Sequence, residues 1–186
     1  MGTALLVERA APHDGTKSWA GSGHSDPVTI DLMARVDDER LAAWQEFLRA
    51  HAAITQALEA ELVGAHDLPL AWYDVLVSLN GAPQGRLRMQ ELARRVMFSR
   101  SGLTRLVDRM VHAGLLTREP CPGDRRGTFA VITSEGRKRL RSASGVHLRG
   151  VYEHFARHLD DRDVGPLRVA LGHVLAGEGD GQEAPA

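Results

Sequence analysis

The stretch LRMQELARRVMFSRSGLTRLVDRMVHAGLLTREPCPGDRRGTFAVIT, residues 87–133, decides the fold. Two helical patterns lie close together in it: a short one over residues 87–96, and a longer one that begins after Ser99. Serine is a favourable N-cap, and Gly114 stands where a helix often ends in a left-handed residue. Residues 97–99 are left as a tight turn. The stretch therefore predicts a helix-turn-helix.

The two helices need a shared apolar contact and one exposed face. Ala93, Met97, Leu103 and Leu106 have the spacing of that contact, although Met97 occupies a position where glycine is common. Arginine can bond a guanine edge through two hydrogens, and hydroxyls can reach bases or phosphates. The predicted outward face carries residues of these types together with Asp108. The candidate DNA contacts on this face are Ser99, Arg100, Ser101, Thr104, Arg105 and Arg109.

A β-hairpin follows the second helix. Residues 115–119 and 128–133 have strand-like composition, and the Gly, Pro and Asp residues between them predict a connecting loop. Arg125, Arg126 and Gly127 at its tip would reach the minor groove or its phosphates. Asp124 is predicted to orient the wing by pairing with Arg126. The sequence therefore predicts a winged helix-turn-helix within a mainly α fold.

Charge is distributed unevenly along the chain. The formal net charge is −1, yet residues 86–141 contain 14 basic and 5 acidic residues, so they carry +9 and the remainder −10. A basic middle between acidic ends is typical of a protein that offers one face to a polyanion. This distribution favours double-stranded DNA as a partner.

The segments on either side of this stretch have apolar residues at helical spacing, and the chain has too few other residues to bury them. We predict a flexible tail over 1–36 with a possible short helix at 30–36. After the tail we predict a dimerisation helix at 37–66 and the DNA-binding lobe at 67–133. We then predict dimerisation helices at 134–176, the last of which begins after Pro166, and a second flexible tail at 177–186. The apolar stripes on the dimerisation helices exceed what so small a lobe can cover. A second copy of the chain is the simplest partner, and a two-fold symmetric dimer would bind an inverted repeat.

Composition excludes several classes of protein. A chain of 186 residues with 43% hydrophobic residues can bury one core and a dimerisation layer, but not two large domains. Motifs of hydrolases, zinc peptidases and phosphate-binding loops are absent from the sequence, so we predict no enzyme activity and no required cofactor. Without a run of about 18 apolar residues or a secretory leader, the sequence predicts no membrane association and a cytoplasmic location.

Residues 40–176 resemble the MarR family of bacterial transcription regulators. The features that carry the resemblance are residues 72–76, 91–93, 99–110 and 114–116, and above all Asp124-Arg125-Arg126-Gly127 leading to residues 132–136. The resemblance implies a homodimer with interleaved terminal helices, two winged units on an inverted repeat, and control by a small molecule or an oxidant. It also favours repression over activation.

Three groups of residues are candidates for the sensor. An effector pocket is predicted to be lined by Trp44, His51, Trp72, Tyr73 and Asp74, although aromatic residues at this spacing also form cores. Trp44 and Asp74 are also similar to features of the urate-responsive branch of the family. The sequence does not identify the effector.

Metal and oxidant sensing have one candidate each. His154 and His158, one turn apart on a predicted helix, could share a metal, or they could be solvated or interfacial. Cys121, the single cysteine, could be oxidised in the wing beside Arg125 and Arg126.

One alternative function remains at this stage: a winged helix that binds only another protein. Salt distinguishes the two, since DNA binding through arginine contacts to phosphate weakens steeply as salt rises.

Overall fold

A computed structural model describes residues 38–121 and 123–179 of the chain. The side chains of Arg125, Arg126 and residues 178–179 are outside this description, as are the predicted tail 1–36 and the final residues. In chain order the elements are α1 (Asp38–His66), α2 (Leu70–Asn80), β1 (Arg86–Arg88), α3 (Met89–Arg95), α4 (Arg100–His112), β2 (Leu116–Cys121), β3 (Asp124–Ile132), α5 (Ser134–His154) and α6 (Asp161–Gly179). Short 3₁₀ turns occupy Pro83–Gly85 and Ala156–His158.

The chain divides into two units, residues 1–44 and 45–186. In the first unit the described residues 38–44 form the beginning of α1. All packing described below belongs to the second unit. The predicted boundaries of the lobe and of the dimerisation layer remain predictions.

A three-stranded antiparallel sheet completes the lobe, in the order β1-β3-β2. Arg86 pairs with Val131 and Arg88 with Phe129, while Leu116 pairs with Ile132. The prediction of a helix beginning at Leu87 is wrong at its start, because Leu87 and Arg88 belong to a strand. That strand has only three residues, too few to show an alternating pattern.

The wing has a shorter loop than the sequence predicted. Asp124, Arg125, Arg126 and Gly127 are the first four residues of β3 rather than its tip. The chain reverses instead at Gly123, whose φ of 80° lies in the left-handed region. Position 127 has no room for a side chain, because a Cβ atom there would lie 2.5 Å from Oδ2 of Asp124 and 2.9 Å from Cβ of Cys121. This close packing accounts for the glycine.

The core joins α2, α3, α4 and the sheet to the end of α1. Its fully buried side chains include Leu62, Leu76, Leu92, Leu103 and Leu116. On α2, Tyr73 and Leu76 are buried, whereas Val77 is 45% exposed. The apolar stripe of α1 is buried only at Leu58 and Leu62 in the described chain.

The two C-terminal helices begin at clear caps. Thr133 caps α5, accepting a hydrogen bond from the Gly136 amide. The last helix begins at Asp161, before Pro166, where the sequence placed its start. The Asp163 carboxylate accepts a bond from the Asp160 amide at 3.2 Å, as in a capping box, so the first turn forms ahead of the proline. Within the described residues, no helix is both long and apolar enough to cross a bilayer.

Candidate nucleic-acid interface

Helix α4 has one buried and one exposed face. Ser99 caps it, as predicted, and its hydroxyl accepts a hydrogen bond from the Gly102 amide at 3.1 Å. The buried face consists of Leu103, Leu106, Val107 and Met110. Gly114, with a φ of 74°, follows the last turn and ends the helix where the sequence predicted. The amphipathic pattern therefore fixes which side chains face outward.

The outward face carries the predicted contact residues together. Arg100, Ser101, Thr104, Arg105, Asp108 and Arg109 are all exposed. The Thr104 hydroxyl donates to the Arg100 carbonyl at 2.9 Å, and the Ser99 and Ser101 hydroxyls lie 3.4 Å apart. Within the described part of the chain, the guanidinium groups of Arg100, Arg105 and Arg109 have no hydrogen-bond or ion-pair partner. Three positive charges on one helix face are thus available to a polyanion.

The one acid on this face is paired by the wing. The Arg118 guanidinium on β2 lies 2.9 Å from the Asp108 carboxylate and also donates to the Thr104 carbonyl at 3.3 Å. This pairing offsets the negative charge that would oppose a phosphate. It also ties the middle of α4 to the sheet.

Two arginines on β1, missed by sequence reasoning, organise the base of the wing. Arg88 pairs with Asp124 at 3.0 Å, and Arg86 pairs with Glu119 at 3.3 Å. Both guanidinium carbons lie over the Phe129 ring, at 5.0 Å for Arg86 and 5.8 Å for Arg88. The only sequence signal was the alternation of Arg86 and Arg88 around an apolar residue, which is not specific.

Asp124 therefore has a described partner other than the predicted one. Its second oxygen, Oδ1, accepts a hydrogen bond from the Gly127 amide at 3.1 Å, which stabilises the backbone at the start of β3. The predicted pairing with Arg126 remains a prediction, because the side chain of Arg126 is not described. The backbones of Arg125 and Arg126 lie in β3 beside Asp124.

A cleft joins the start of α4 to the base of the wing. Its volume is about 380 Å³. Three predicted contact residues, Arg100, Thr104 and Gly127, line it together with Arg88 and with Asp124, the residue predicted to orient the wing. The fold thus brings residues of the helix and of the wing to one concave surface with arginines on both sides.

The predicted effector residues have separate environments. Trp44 is 55% exposed at the start of α1, and the ring of His51 lies 6.1 Å from that of Phe47. Trp72 lines a cavity of about 450 Å³ together with Arg139. Tyr73 is buried with its ring 4.3 Å from that of His147.

Two titratable groups near this region are perturbed. Asp74 keeps an exposed edge, yet the atoms around it raise the pKa of its carboxyl by desolvation, and Glu59 raises that pKa further. Burial lowers the pKa of His147, whose Nδ1 atom is buried and has no hydrogen-bond partner in the described part of the chain.

The histidine pair does not have the predicted spacing. Helix α5 ends at His154, and Phe155 has non-helical backbone angles, so His158 lies in a separate 3₁₀ turn. His154 instead contacts Glu61 at 2.7 Å, and His158 lies 3.1 Å from the Glu153 carbonyl. Among the described residues, no three His, Cys, Asp or Glu side chains are placed to hold a metal.

Cys121 is buried, with 4% of its surface exposed. A reactive thiol needs access to the oxidant, so this burial does not favour the predicted oxidation in the wing.

Comparison with known proteins gives a consistent result. The family model described as MarR family matches residues 66–127. The HTH-type transcriptional regulator PecS of Dickeya dadantii is 32% identical over 128 residues, which are 68% of this chain and 75% of PecS. The first curated relatives, HTH-type regulators of Escherichia coli, are 29% identical over 96 residues, and the match spans only 58% of their length.

Solved structures match over a larger part of the chain. AbsC of Streptomyces coelicolor, a MarR family transcriptional regulator, is 34% identical with a TM-score of 0.72, over 79% of this chain and 98% of AbsC. Sco3205 of the same organism, a MarR family regulator solved in complex with DNA, is 30% identical with a TM-score of 0.70, over 81% of this chain and 94% of Sco3205. These matches confirm the predicted winged-helix fold. The relatives named here are transcriptional regulators, which supports the prediction that the chain is not an enzyme.

Proposed function

Because the chain belongs to the MarR family, we propose that it is a homodimeric, sequence-specific DNA-binding transcription regulator. It binds an inverted repeat with two winged lobes and represses transcription until a small molecule releases it. The predicted cytoplasmic location follows from this function, since the chromosome lies there.

One observation carries the proposal: the arginines around α4 differ in whether an acidic side chain pairs with them. Arginines that support the lobe, such as Arg88 and Arg118, are paired with acids, whereas Arg100, Arg105 and Arg109 on the exposed helix face have no acidic partner among the residues that the structure describes. Unpaired guanidinium groups on one convex helix suit guanine edges and phosphates. The DNA complex of Sco3205 supports this use of the fold.

The C-terminal helix supports the homodimer. Among the described residues of α6, only Leu167 is partly buried, and all others are exposed. Val169, Val174 and Leu175 are between 59% and 67% exposed. A helix of 19 residues gains most of its stability from packing an apolar face, so this one requires a partner surface. A second copy of the chain has the same exposed apolar face on α6, and it supplies this partner surface.

The effector has one supported location. The cavity beside Trp72 has apolar walls from Leu68, Pro69 and Leu115, with Arg139, Asp67 and Glu135 as its charged lining residues. Arg139 also donates to the carbonyls of His66 and Asp67. A flat aromatic acid would pack on Trp72 and direct its carboxylate to Arg139. This cavity lies between the end of the lobe and the start of α5, so a bound ligand can change the position of one relative to the other.

The decisive experiment is selection of bound sequences from random duplex DNA, followed by affinity measurements at several salt concentrations. A palindromic site is expected. A dimer with about 6–10 phosphate contacts would lose about 10³–10⁵-fold in affinity between roughly 50 and 200 mM salt. No enrichment, together with binding to a protein that is insensitive to salt, would favour the protein-contact alternative.

Variants separate the roles of the arginines. We expect Arg105→Ala and Arg100→Ala to relax base preference by about 1–3 kcal/mol at single positions, and Arg126→Ala to weaken binding to all sequences with a flatter salt dependence. Arg95→Ala is the matched control, because Arg95 pairs with Glu91 on α3 at 2.8 Å. Equal effects of all variants on selected and random DNA would contradict this assignment. A promoter fusion assay with and without aromatic acids tests repression and release.

A further inference from the structure

The turn between α3 and α4 presents an apolar side chain that the interface described above does not use. Met97 is 85% exposed, more than any other large hydrophobic side chain in the described part of the chain. The prediction that Met97 belongs to the buried contact between the two helices is therefore wrong, and burial in the lobe does not account for this side chain. Phe98, its neighbour, is only 38% exposed and lies against the first turn of α4, within 3.6 Å of where a Cβ atom on Gly102 would be.

The backbone conformation at Met97 is unfavourable for a residue with a side chain. Met97 has a φ of 53°, in the left-handed region. The Phe98 amide donates to the Ala93 carbonyl at 3.0 Å, and the Met97 amide donates to the Arg94 carbonyl at 3.4 Å. This is the Schellman arrangement at a helix end, in which glycine is usual at the position of Met97. A strained residue with an exposed side chain is a candidate for a role outside folding.

The surroundings of Met97 are those of the proposed interface. It lies two residues before Ser99, the cap of α4, and the N-terminal residues of such a helix are the ones that meet base edges. It lines a groove of about 610 Å³ with Arg94 and Arg100, whose positive charges favour the DNA backbone beside it. An apolar group among these arginines faces the same polyanion.

We infer that Met97 is a specificity-determining residue whose thioether side chain packs against the C5-methyl group of a thymine in the major groove. The inference rests on the proposed DNA-binding function. Thymine is the base that presents a methyl group there. A flexible, polarisable methionine side chain adapts well to such a contact.

Deoxyuridine tests the contact directly, because it lacks only that methyl group. Each thymine of the selected site is replaced in turn by deoxyuridine, at symmetric positions in both half-sites, and affinity is measured by fluorescence anisotropy. For the wild-type chain, one position is expected to lose about fourfold in affinity per half-site, the factor that corresponds to one buried methyl group. Met97→Gly is expected to bind the thymine site more weakly and to show no loss at that position.

Stability separates recognition from folding. Glycine relieves the strain at φ 53°, so Met97→Gly should unfold at the same or a higher temperature than the wild type while it discriminates less. Met97→Leu and Met97→Gln share the strained backbone and differ in polarity. Leucine should retain the response to deoxyuridine, and glutamine should lose it.

The outcomes distinguish this inference from the function on which it rests. If the wild-type chain selects no DNA sequence, the proposed function fails. If the wild-type chain selects a site, the inference is overturned when no thymine methyl matters to it, or when Met97→Gly and Met97→Gln respond to deoxyuridine as the wild type does.

Discussion

At the scale of single residues, the partner of an arginine decides what it does. Arg118 neutralises Asp108 and holds α4 to the sheet, whereas Arg105, on the same exposed side of the lobe, has no partner among the described residues. The two side chains are chemically identical. Counting charges along the chain located the basic region but could not separate these roles, because pairing across elements depends on the fold.

Arg88→Met should weaken DNA binding without unfolding the lobe. The change removes the ion pair with Asp124 and leaves the start of β3 less well oriented. Because the pair is partly exposed, the free energy of unfolding should fall by only about 0.2–1 kcal/mol. Urea unfolding and binding to random and selected DNA check this result. Arg95→Met, which breaks an exposed pair on α3, is the control, and an equal loss of DNA affinity in it would contradict a role for the wing base.

His147 should make stability depend on pH. Burial lowers its pKa in the folded state below the ordinary value of 6.5, so the unfolded chain binds the proton more readily. The stability that the neutral, buried His147 contributes is fully present above pH 6.5, the ordinary pKa, and is lost as the pH falls below it. The free energy of unfolding should therefore decrease between about pH 7.5 and 5.5, and less so in His147→Phe, which keeps a ring beside Tyr73. His173→Gln, at an exposed position, serves as the control, and identical slopes in wild type and His147→Phe would contradict the prediction.

At the scale of elements, one hydroxyl joins two helices. Thr133 Oγ1 caps α5 by accepting from the Gly136 amide at 3.0 Å, and it lies 2.8 Å from the Gly114 carbonyl that follows α4. Close packing reinforces the junction, since a Cβ atom on Gly136 would lie 2.3 Å from the Leu115 carbonyl oxygen. The position of α4 is therefore linked to the start of α5.

Thr133→Ala should destabilise the chain by about 1–2 kcal/mol, because it removes a helix cap and leaves a carbonyl without this partner. Thr133→Ser keeps the hydroxyl and should recover most of the loss. Chemical unfolding of both variants measures the difference. Thr117→Ala, an exposed position on β2, should change little; a loss there equal to that of Thr133→Ala would show that the cap is not the cause.

The elements that the sequence predicted well are those with local signals. Helix α4 was predicted to within a residue, because Ser99, the apolar spacing and Gly114 all lie within it or beside it. Strand β1 was missed because its pairing with β3 joins residues more than forty positions apart. The start of α6 was misplaced because Pro166 resembles a first-turn residue, while the side chain that caps the helix, Asp163, gives no distinct pattern.

At the scale of the whole molecule, the exposed helix α6 leads to a prediction about assembly. Leu175→Glu should dissociate the dimer, since it places a charge on the apolar face of that helix. Sedimentation at micromolar concentration measures the result. His173→Glu lies on the opposite side of the same helix and should remain dimeric. A wild-type chain that sediments as a monomer would contradict the proposed assembly.

The candidate site was predictable where residues of one element share a face. Arg100, Thr104 and Arg105 follow from helical periodicity, and all three are exposed together. Arg88 and Phe129 could not be predicted, because strand pairing brings them to the wing. The effector pocket was the least predictable, since its five candidates came from two separate helices. Of these candidates, Trp72 lines the cavity with Arg139, a residue the sequence did not suggest.

The bond network of Arg118 has a consequence for the DNA itself. By holding β2 to the middle of α4, it fixes the separation between the part of the lobe proposed for the major groove and the part proposed for the minor groove. A duplex that is overwound or underwound changes the offset between its grooves. A lobe restrained in this way would match one offset better than another, so we predict that the affinity of the chain for its selected site changes when the same DNA is supercoiled.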